Sequence, residues 1–186
     1  TGRLASVMVH VNVGTANAIC GVMNAARENV PVLMTSGRTP LTEEGFDGSR
    51  SLYIHWGQEM FDQGGVMREM VKWDYELRNA KQVETIVDRA VTVAMTEPRG
   101  PVYLSLPREV LAEKPGDFTF QSPTRRQPAR PAAADANAID EAAEILANAE
   151  NPIIITASMG QNRAAVPALE SLAERFALPV ISYRPR

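Results

Sequence analysis

Short, continuous apolar runs alternate with segments of helical periodicity in this chain, and this alternation restricts the possible folds more than any other feature. Residues 5–11 and 31–35 are apolar runs with several β-branched members. Between them, apolar residues recur at i, i+3, i+4 and i+7 from Ile19 to Ala26, which is one face of a helix. Strands buried on both faces of a parallel sheet have such continuous runs. The pattern therefore predicts a β-α-β unit in an α/β protein.

The same order of elements recurs further along the chain. Residues 71–77 and 101–106 have the composition of strands, and a helical stripe lies between them. The apolar residues of that stripe are Val83, Ile86, Val87, Ala90 and Ala94. The order is again strand, helix, strand, which supports a parallel sheet with both faces covered.

A proline-rich segment follows these two units. Residues 113–137 contain prolines at positions 115, 123, 128 and 131 and have no sustained periodicity. Because proline fixes φ and has no N–H to donate to a sheet, we expect this segment to be an extended linker. The sequence is thereby divided into a first domain over residues 1–112 and a second over residues 138–186.

The second domain begins with a helical pattern whose apolar residues include Ile139 and Leu146. Residues 152–156 are predicted to form a buried strand, residues 164–176 a helix and residues 178–182 another strand. The sequence starts and stops close to apolar runs, so we expect it to be part of a longer chain.

Charge and cysteine content restrict the partners of the protein. The 186 residues carry a formal net charge of −3 and show no basic stripe, so nucleic acid is not an expected partner. No apolar run approaches the roughly 18 residues that cross a bilayer, and no secretion signal opens the sequence. The single cysteine, Cys20, suits a reducing compartment. We therefore expect a cytoplasmic protein that binds neither membranes nor nucleic acid.

The candidate site follows the first predicted strand, at residues 10–17. Ligands of open parallel sheets bind beyond the carboxyl ends of the strands, near helix N-termini. Gly14 permits a tight turn or close approach of a ligand, Thr15 can cap the following helix, and Asn17 offers a donor and an acceptor. An ordinary strand-to-helix turn uses the same residues. The glycines of a dinucleotide fingerprint and the lysine of a phosphate-binding loop are missing.

His10 lies at the end of the same predicted strand. An imidazole titrates near neutral pH and can transfer protons to a substrate beside it. A histidine at a strand end can also be purely structural, and sequence spacing leaves both interpretations open.

Three separated motifs resemble the pyrimidine-binding domain of thiamine diphosphate-dependent enzymes. They read HVNVGTANAICGVMNAARENVPVLMTSGRTP, MVKWDYEL and EPRGPVYLSLPREVL, in that order along the chain. Within this superfamily the resemblance is to the benzoylformate decarboxylase and acetolactate synthase group. It implies the C-terminal part of a parallel-sheet pyrimidine-binding domain, followed after the linker by the beginning of a Rossmann-like middle domain.

The resemblance also implies roles for individual residues. His10 falls at the active-site histidine of benzoylformate decarboxylases, which helps to position and protonate intermediates. Gln58, in a long glycine-rich irregular stretch, resembles the glutamine of acetolactate synthases that reaches the active site. The remaining matches lie in the turn beside the aminopyrimidine ring of the cofactor. They are Val13, Gly14, Thr15 and Asn17.

The implied activity needs thiamine diphosphate and Mg²⁺, and the expected substrate is a small 2-oxo acid. Such enzymes decarboxylate the acid or join the resulting activated aldehyde to a second carbonyl. By resemblance, the glutamate that activates the cofactor precedes residue 1 and the ligands of the metal and diphosphate follow residue 186. We therefore expect these residues alone to be inactive and to contain no metal ligands.

The same resemblance implies a pocket between two subunits, and hence a homodimer or homotetramer. Two other interpretations stay open at this point. The chain can be a regulatory or interaction module of this family that has lost catalysis. A generic nucleotide-binding α/β protein is less favoured, because no phosphate-loop fingerprint is present.

Overall fold

Four parallel strands form the first sheet, in the order β1-β2-β4-β3. Their bounds are Ala5–Val9 for β1, Val32–Arg38 for β2, Asp74–Glu76 for β3 and Val102–Pro107 for β4. Each neighbouring pair is parallel. The predicted α/β class with a parallel sheet is confirmed.

This computed structural model describes residues 2–114, 116–117, 119 and 127–183. The chain divides into two compact units, Thr1–Pro131 and Ala132–Arg186. The predicted linker at residues 113–137 lies partly outside the described residues. The division into a pyrimidine-binding domain, a linker and a middle domain stays a prediction.

Five helices accompany the first sheet in the described part of this unit. They are α1 Val11–Arg27, α2 Ile54–Gly57, α3 Gly65–Arg68, α4 Val83–Met95 and α5 Arg108–Ala112. On one face of the sheet, α1 and α3 bury a cluster of Val22, Met34, Met67 and Tyr103. On the other face, residues of α4 and α5 pack against the strands. The buried members of that second cluster are Leu77, Ile86, Ala90, Ala94, Val102, Leu104 and Val110.

The first strand differs from its prediction in length and in burial. The structure ends β1 at Val9 rather than at residue 11, because α1 already begins at Val11. Ala5 to Met8 are exposed, although the apolar run predicts burial. The physical reason is position, since β1 lies at an edge of the described sheet and has only β2 as a neighbour. The continuous burial predicted for such runs holds for β4, in the interior of the sheet.

The third strand is also shorter than residues 71–77. Lys72 lies before β3, and its Nζ donates hydrogen bonds to the carbonyl oxygens of Val93 and Thr96 at 2.7 and 2.6 Å. These carbonyls belong to the last turn and the end of α4, where helices leave acceptors unsatisfied. Burial lowers the pKa of the Lys72 ammonium group. Lys72 therefore ties the approach to β3 to the end of α4.

In the second unit, α6 Ala136–Asn148, β5 Ile154–Thr156, α7 Ala165–Phe176 and β6 Val180–Ser182 follow in order. The two strands are parallel. The prediction of a buried strand at residues 152–156 is wrong in this structure, because Ile153 and Ile155 are 50% and 66% exposed. Among the described residues β5 pairs only with β6, and a strand in a two-stranded sheet without packed helices on its faces leaves its side chains exposed. The assignment of this unit to a Rossmann-like domain stays a prediction.

The helices that the structure describes include none that is both long enough and apolar enough to cross a bilayer.

Gly14 lies inside α1 and not in a turn, so the predicted tight turn at this position is wrong. Only His10 separates β1 from α1, and the direction of the chain changes there. A Cβ atom at Gly14 would lie 2.9 Å from the Cβ of Val9 and 3.2 Å from its carbonyl carbon. Glycine is needed because the helix passes directly over the end of its own strand.

We expect Gly14→Ala and Gly21→Ala, on the same helix, to change stability in opposite directions. Alanine is favoured over glycine in a helix by about 0.5–1 kcal/mol. No atom lies within 4 Å of a Cβ at Gly21, so Gly21→Ala should raise the free energy of unfolding by about that amount. At Gly14 the overlap with Val9 costs about 1–3 kcal/mol and should outweigh the propensity. Urea unfolding measures both variants, and a stabilised Gly14→Ala variant would contradict the packing described.

Candidate functional site

The carboxyl ends of the parallel strands bring polar residues to one edge of the first sheet. His10 follows β1, Arg38 ends β2 and Glu76 ends β3. Because all four strands run in the same direction, these ends meet at one edge. Open parallel sheets bind their ligands at this edge.

His10 is exposed and occupies the position before the first residue of α1. Its carbonyl oxygen accepts a hydrogen bond from the amide of Gly14 at 2.6 Å. The side chain makes no capping hydrogen bond to the helix. The imidazole is therefore not used to satisfy the helix end, and it is exposed at the carboxyl end of β1.

The two residues after His10 have unusual features. Val11 has φ of +32°, which is rare for any residue with a side chain and more so for a β-branched one. The Asn12 Oδ1 atom is buried and has no hydrogen-bond partner among the described residues. Buried polar atoms are nearly always paired, so this oxygen is a position where a donor is expected.

Val13 and Asn17 are exposed on α1. They are four residues apart in α1, so they lie on the same side of the helix. The structure therefore brings Val13 and Asn17 to one exposed face of α1, and the exposed His10 directly precedes this helix. The roles of these residues in binding a cofactor stay predictions.

Thr15 faces the opposite way. Its side chain is fully buried, its hydroxyl donates to the Val11 carbonyl oxygen at 2.7 Å, and it lies 3.1 Å from the Tyr103 hydroxyl. The expectation that Thr15 caps the helix is wrong, because α1 begins four residues earlier. Because the Thr15 side chain is buried, it can affect a ligand only through the Val11 backbone to which it donates a hydrogen bond.

Gln58 lies apart from this helical face, at the end of α2 in the segment between β2 and β3. It is half-buried, and its backbone N–H donates to the Ile54 carbonyl oxygen at 2.9 Å. Its predicted role in catalysis stays a prediction.

Arg50 organises the segment that carries Gln58. Its side chain is 4% exposed and pairs with Glu59 at 2.7 Å and with Glu43 at 3.3 Å. Its Nε donates to the Pro40 carbonyl oxygen at 3.0 Å, and its guanidinium lies 5.5 Å from the centre of the Trp56 ring. The hydrogen bond from Arg50 lowers the pKa of the Glu59 carboxyl. A long stretch without extended secondary structure is thus ordered around one cation.

A second anchor joins this segment to α5. The Glu109 carboxylate accepts hydrogen bonds from the backbone amide and from the hydroxyl of Thr42, both at 2.7 Å. Burial raises the pKa of Glu109, but its hydrogen bonds, of which those from Thr42 are the strongest, together outweigh burial, and the pKa lies below its usual value.

Sequence reasoning missed an ion pair across the edge of the sheet. Arg38 of β2 pairs with Glu76 of β3, and both side chains are largely buried. Because β4 lies between these strands, the pair spans it, and the Ser105 hydroxyl of β4 lies 3.5 Å from the Glu76 carboxylate. Arg38 also donates to the Met60 carbonyl oxygen at 3.1 Å.

A buried cluster of hydroxyl and amide groups was also missed. It joins Tyr103 of β4 to Thr15, Ser36 and Gln63. No spacing rule connects these four residues, because they come from four separate segments.

The described residues contain no group of three histidine, cysteine or acidic side chains that could hold a metal ion.

Comparison with known protein families finds a match for the first part of this sheet. Residues 1–66, which contain β1, α1 and β2, match the family described as thiamine pyrophosphate enzyme, N-terminal TPP binding domain. The predicted resemblance to thiamine diphosphate-dependent enzymes is confirmed.

Characterised relatives match nearly the whole chain. Sulfoacetaldehyde acetyltransferase of Rhodobacter capsulatus is 27% identical and covers 97% of this chain. Benzoylformate decarboxylase of Pseudomonas aeruginosa is 26% identical over 96% of the chain, and acetolactate synthase of Arthrospira platensis is 26% identical over 98%. The matched regions are 28%, 32% and 30% of these relatives, so the chain spans about a third of their length.

A solved structure shares the fold over nearly the whole of this chain. The thiamine diphosphate-dependent 4-hydroxybenzoylformate decarboxylase of Rhodococcus jostii superposes with a TM-score of 0.77 at 23% identity. The match covers 96% of this chain and 32% of that one. At 23% identity this superposition supports the same fold for the two chains.

We expect acid to loosen the segment at Thr42 through Glu109. Since the folded pKa is depressed, this carboxylate stabilises the fold fully above its unfolded pKa of about 4.3, and the effect is lost as pH falls through the folded value. Glu109→Gln should lower the hydrogen-exchange protection of the Thr42 amide about fivefold at pH 7. The control is Glu44→Gln, an exposed acid in the same segment. Equal protection in both variants would contradict the anchor.

Proposed function

We propose that His10 and the exposed α1 residues Val13 and Asn17 form part of a thiamine diphosphate site in a 2-oxo acid decarboxylase or carboligase. The observation that carries this proposal is the position of His10. It is exposed at the ligand-binding edge of a parallel sheet, directly before α1, and its imidazole makes no cap to the helix. His10, Val13 and Asn17 lie within the residues that match the TPP-binding domain family.

The residues at the edge fit the pyrimidine part of the cofactor. The buried Asn12 Oδ1 has no partner among the described residues, and the amino group of an aminopyrimidine is a suitable donor. Val13 is 45% exposed and offers an apolar contact to a ring. Asn17 adds an exposed amide on the same side of α1. An acceptor, an apolar surface and a second polar group are what recognition of this ring requires.

Bound thiamine diphosphate supplies the carbon nucleophile and takes up the electron pair left when carbon dioxide departs. In this proposal His10 holds or releases a proton at the oxygen of the substrate carbonyl, which an imidazole can do near neutral pH. Gln58, on its ordered segment, orients the substrate. The Mg²⁺ ligands and the cofactor-activating glutamate lie outside these residues, as the resemblance implies.

The names of the relatives give a 2-oxo acid as the substrate of benzoylformate decarboxylase and an aldehyde as the substrate of sulfoacetaldehyde acetyltransferase. They include an acetyltransferase, a decarboxylase and a synthase. We therefore propose a 2-oxo acid as substrate. Its decarboxylation gives an activated aldehyde, which is either released or joined to a second carbonyl.

We further propose that the protein acts in the cytoplasm as a homodimer or larger homo-oligomer. Exposed apolar side chains on β1 and α1 support the second part of this proposal. Val7, Met8 and Met23 are 44%, 68% and 40% exposed. The single cysteine, Cys20, is also exposed, which suits a reducing compartment.

The test uses the full-length protein that contains these residues, with thiamine diphosphate and Mg²⁺. We expect carbon dioxide release from a member of a panel of 2-oxo acids, and a decrease of about 10²–10⁴-fold in kcat for His10→Gln. Asn24→Ala, an exposed change near the other end of α1, is the control and should leave turnover unchanged.

Calorimetry on the same proteins separates the alternatives. His10→Gln should still bind thiamine diphosphate, since its role is proton transfer. Turnover by His10→Gln equal to that of the natural protein would exclude this role. If the folded natural protein did not bind the cofactor, the noncatalytic interpretation would be favoured instead.

A further inference from the structure

The buried cluster around Tyr103 lies directly beneath the beginning of α1. Tyr103 is fully buried in β4, and its hydroxyl lies 2.5 Å from Ser36 Oγ, 2.9 Å from Gln63 Nε2 and 3.1 Å from Thr15 Oγ1. Thr15, Ser36 and Gln63 are themselves 0%, 0% and 1% exposed. A buried polar network of this kind is strong when every hydrogen has an acceptor.

The directions of the hydrogen bonds at Thr15 and Tyr103 are determined by the Val11 carbonyl. The Val11 carbonyl can only accept, so the Thr15 hydroxyl donates to it and must itself accept from Tyr103. Tyr103 has one hydroxyl hydrogen, so Ser36 Oγ donates to the Tyr103 oxygen.

Gln63 lies at the other end of the network. Its Nε2 donates to the Gly37 carbonyl oxygen at 2.9 Å, which fixes the orientation of the amide. Its second hydrogen lies within reach of both Ser36 Oγ at 2.7 Å and the Tyr103 hydroxyl oxygen at 2.9 Å. Gln63 and Ser36 therefore donate toward Tyr103, which donates to Thr15, which donates to the carbonyl of Val11.

The hydrogen-bonded series ends at the carbonyl of Val11, and the backbone of Val11 is strained. Val11 has φ of +32°, in a region that costs roughly 1–3 kcal/mol for a residue other than glycine. Its side chain is buried at the end of β2, with Cγ1 3.6 Å from the position of a Cβ on Gly37. Val11 is thus held by its side chain and by its carbonyl.

We propose that Tyr103 is a positioning residue that, through Thr15, holds Val11 in this conformation and so sets the direction of the adjacent His10 side chain. Strained backbone persists only where the surrounding structure enforces it, and the Tyr103 network provides that enforcement. The proposal rests on the proposed function for the role of His10. The effect on the backbone can be tested without it.

The test is hydrogen exchange of the Gly14 amide, which donates to the His10 carbonyl oxygen across this turn. In Tyr103→Phe we expect exchange of the Gly14 amide to be about three- to tenfold faster. The amides of Ala90 and Ala94, buried in α4 on the other face of the sheet, should change much less. Tyr75→Phe, the same substitution on the neighbouring strand β3, is the control and should leave Gly14 unchanged.

Variants of Thr15 separate the network from general packing. Thr15→Val keeps the shape but loses the hydroxyl and should match Tyr103→Phe, whereas Thr15→Ser should restore slow exchange at Gly14. The double variant Tyr103→Phe/Thr15→Val should exchange no faster than either single one, because both changes interrupt the same series. Equal acceleration in α1 and α4, or none at Gly14, would overturn the proposal.

A kinetic measurement connects the network to His10. In the full-length protein, Tyr103→Phe should lower kcat for carbon dioxide release about tenfold, with KM and cofactor affinity unchanged, and should alter the pH profile of kcat. A kcat equal to that of the natural protein, with fast exchange at Gly14, would overturn the link to His10. No turnover by the natural protein would reject the proposed function, and exchange would still decide whether Tyr103 holds the turn.

Discussion

The contact between Gly14 and Val9 is the constraint on which the rest of this edge depends. It allows α1 to begin two residues after β1 ends, with only His10 between them. A longer connection would let the chain turn gradually and would place His10 anywhere along a loop. The short connection forces strain into Val11 instead, and it leaves the imidazole of His10 at the edge of the sheet. The short connection between β1 and α1 thus accounts both for the packing of Gly14 on Val9 and for the exposure of His10.

Two kinds of polar interaction stabilise the surroundings of this edge. Beneath α1, neutral groups around Tyr103 are buried and bonded to each other. In the segment between β2 and β3, the buried Arg50 pairs with the exposed carboxylates of Glu43 and Glu59. Neutral hydrogen bonds suit the interior because burial of a charge is costly, whereas a cation with partly exposed partners can order a long segment at the surface. The site is therefore supported from two sides by different chemistry.

Periodicity predicts the order of elements well, because strands and helices of α/β proteins have distinct apolar patterns. It predicts β2, β4 and α4 closely, but it places the start of α1 four residues too late and predicts the burial of β1 and β5 wrongly. Burial depends on which strands are neighbours, and a local pattern cannot show this. The position of His10 at a strand end was also predictable, since it follows an apolar run. The Arg38–Glu76 pair and the Tyr103 cluster were not, because their members are far apart in the sequence.

The sequence by itself determined the α/β class, the parallel strand direction, the resemblance to thiamine diphosphate-dependent enzymes and the candidate residues His10, Val13 and Asn17. Only the tertiary structure decided that Gly14 and Thr15 face the interior and that Val11 is strained. A helix has two sides, and the side that faces the sheet depends on the residue at which the helix begins. That starting residue follows from the packing of Gly14 on Val9, which no local pattern contains.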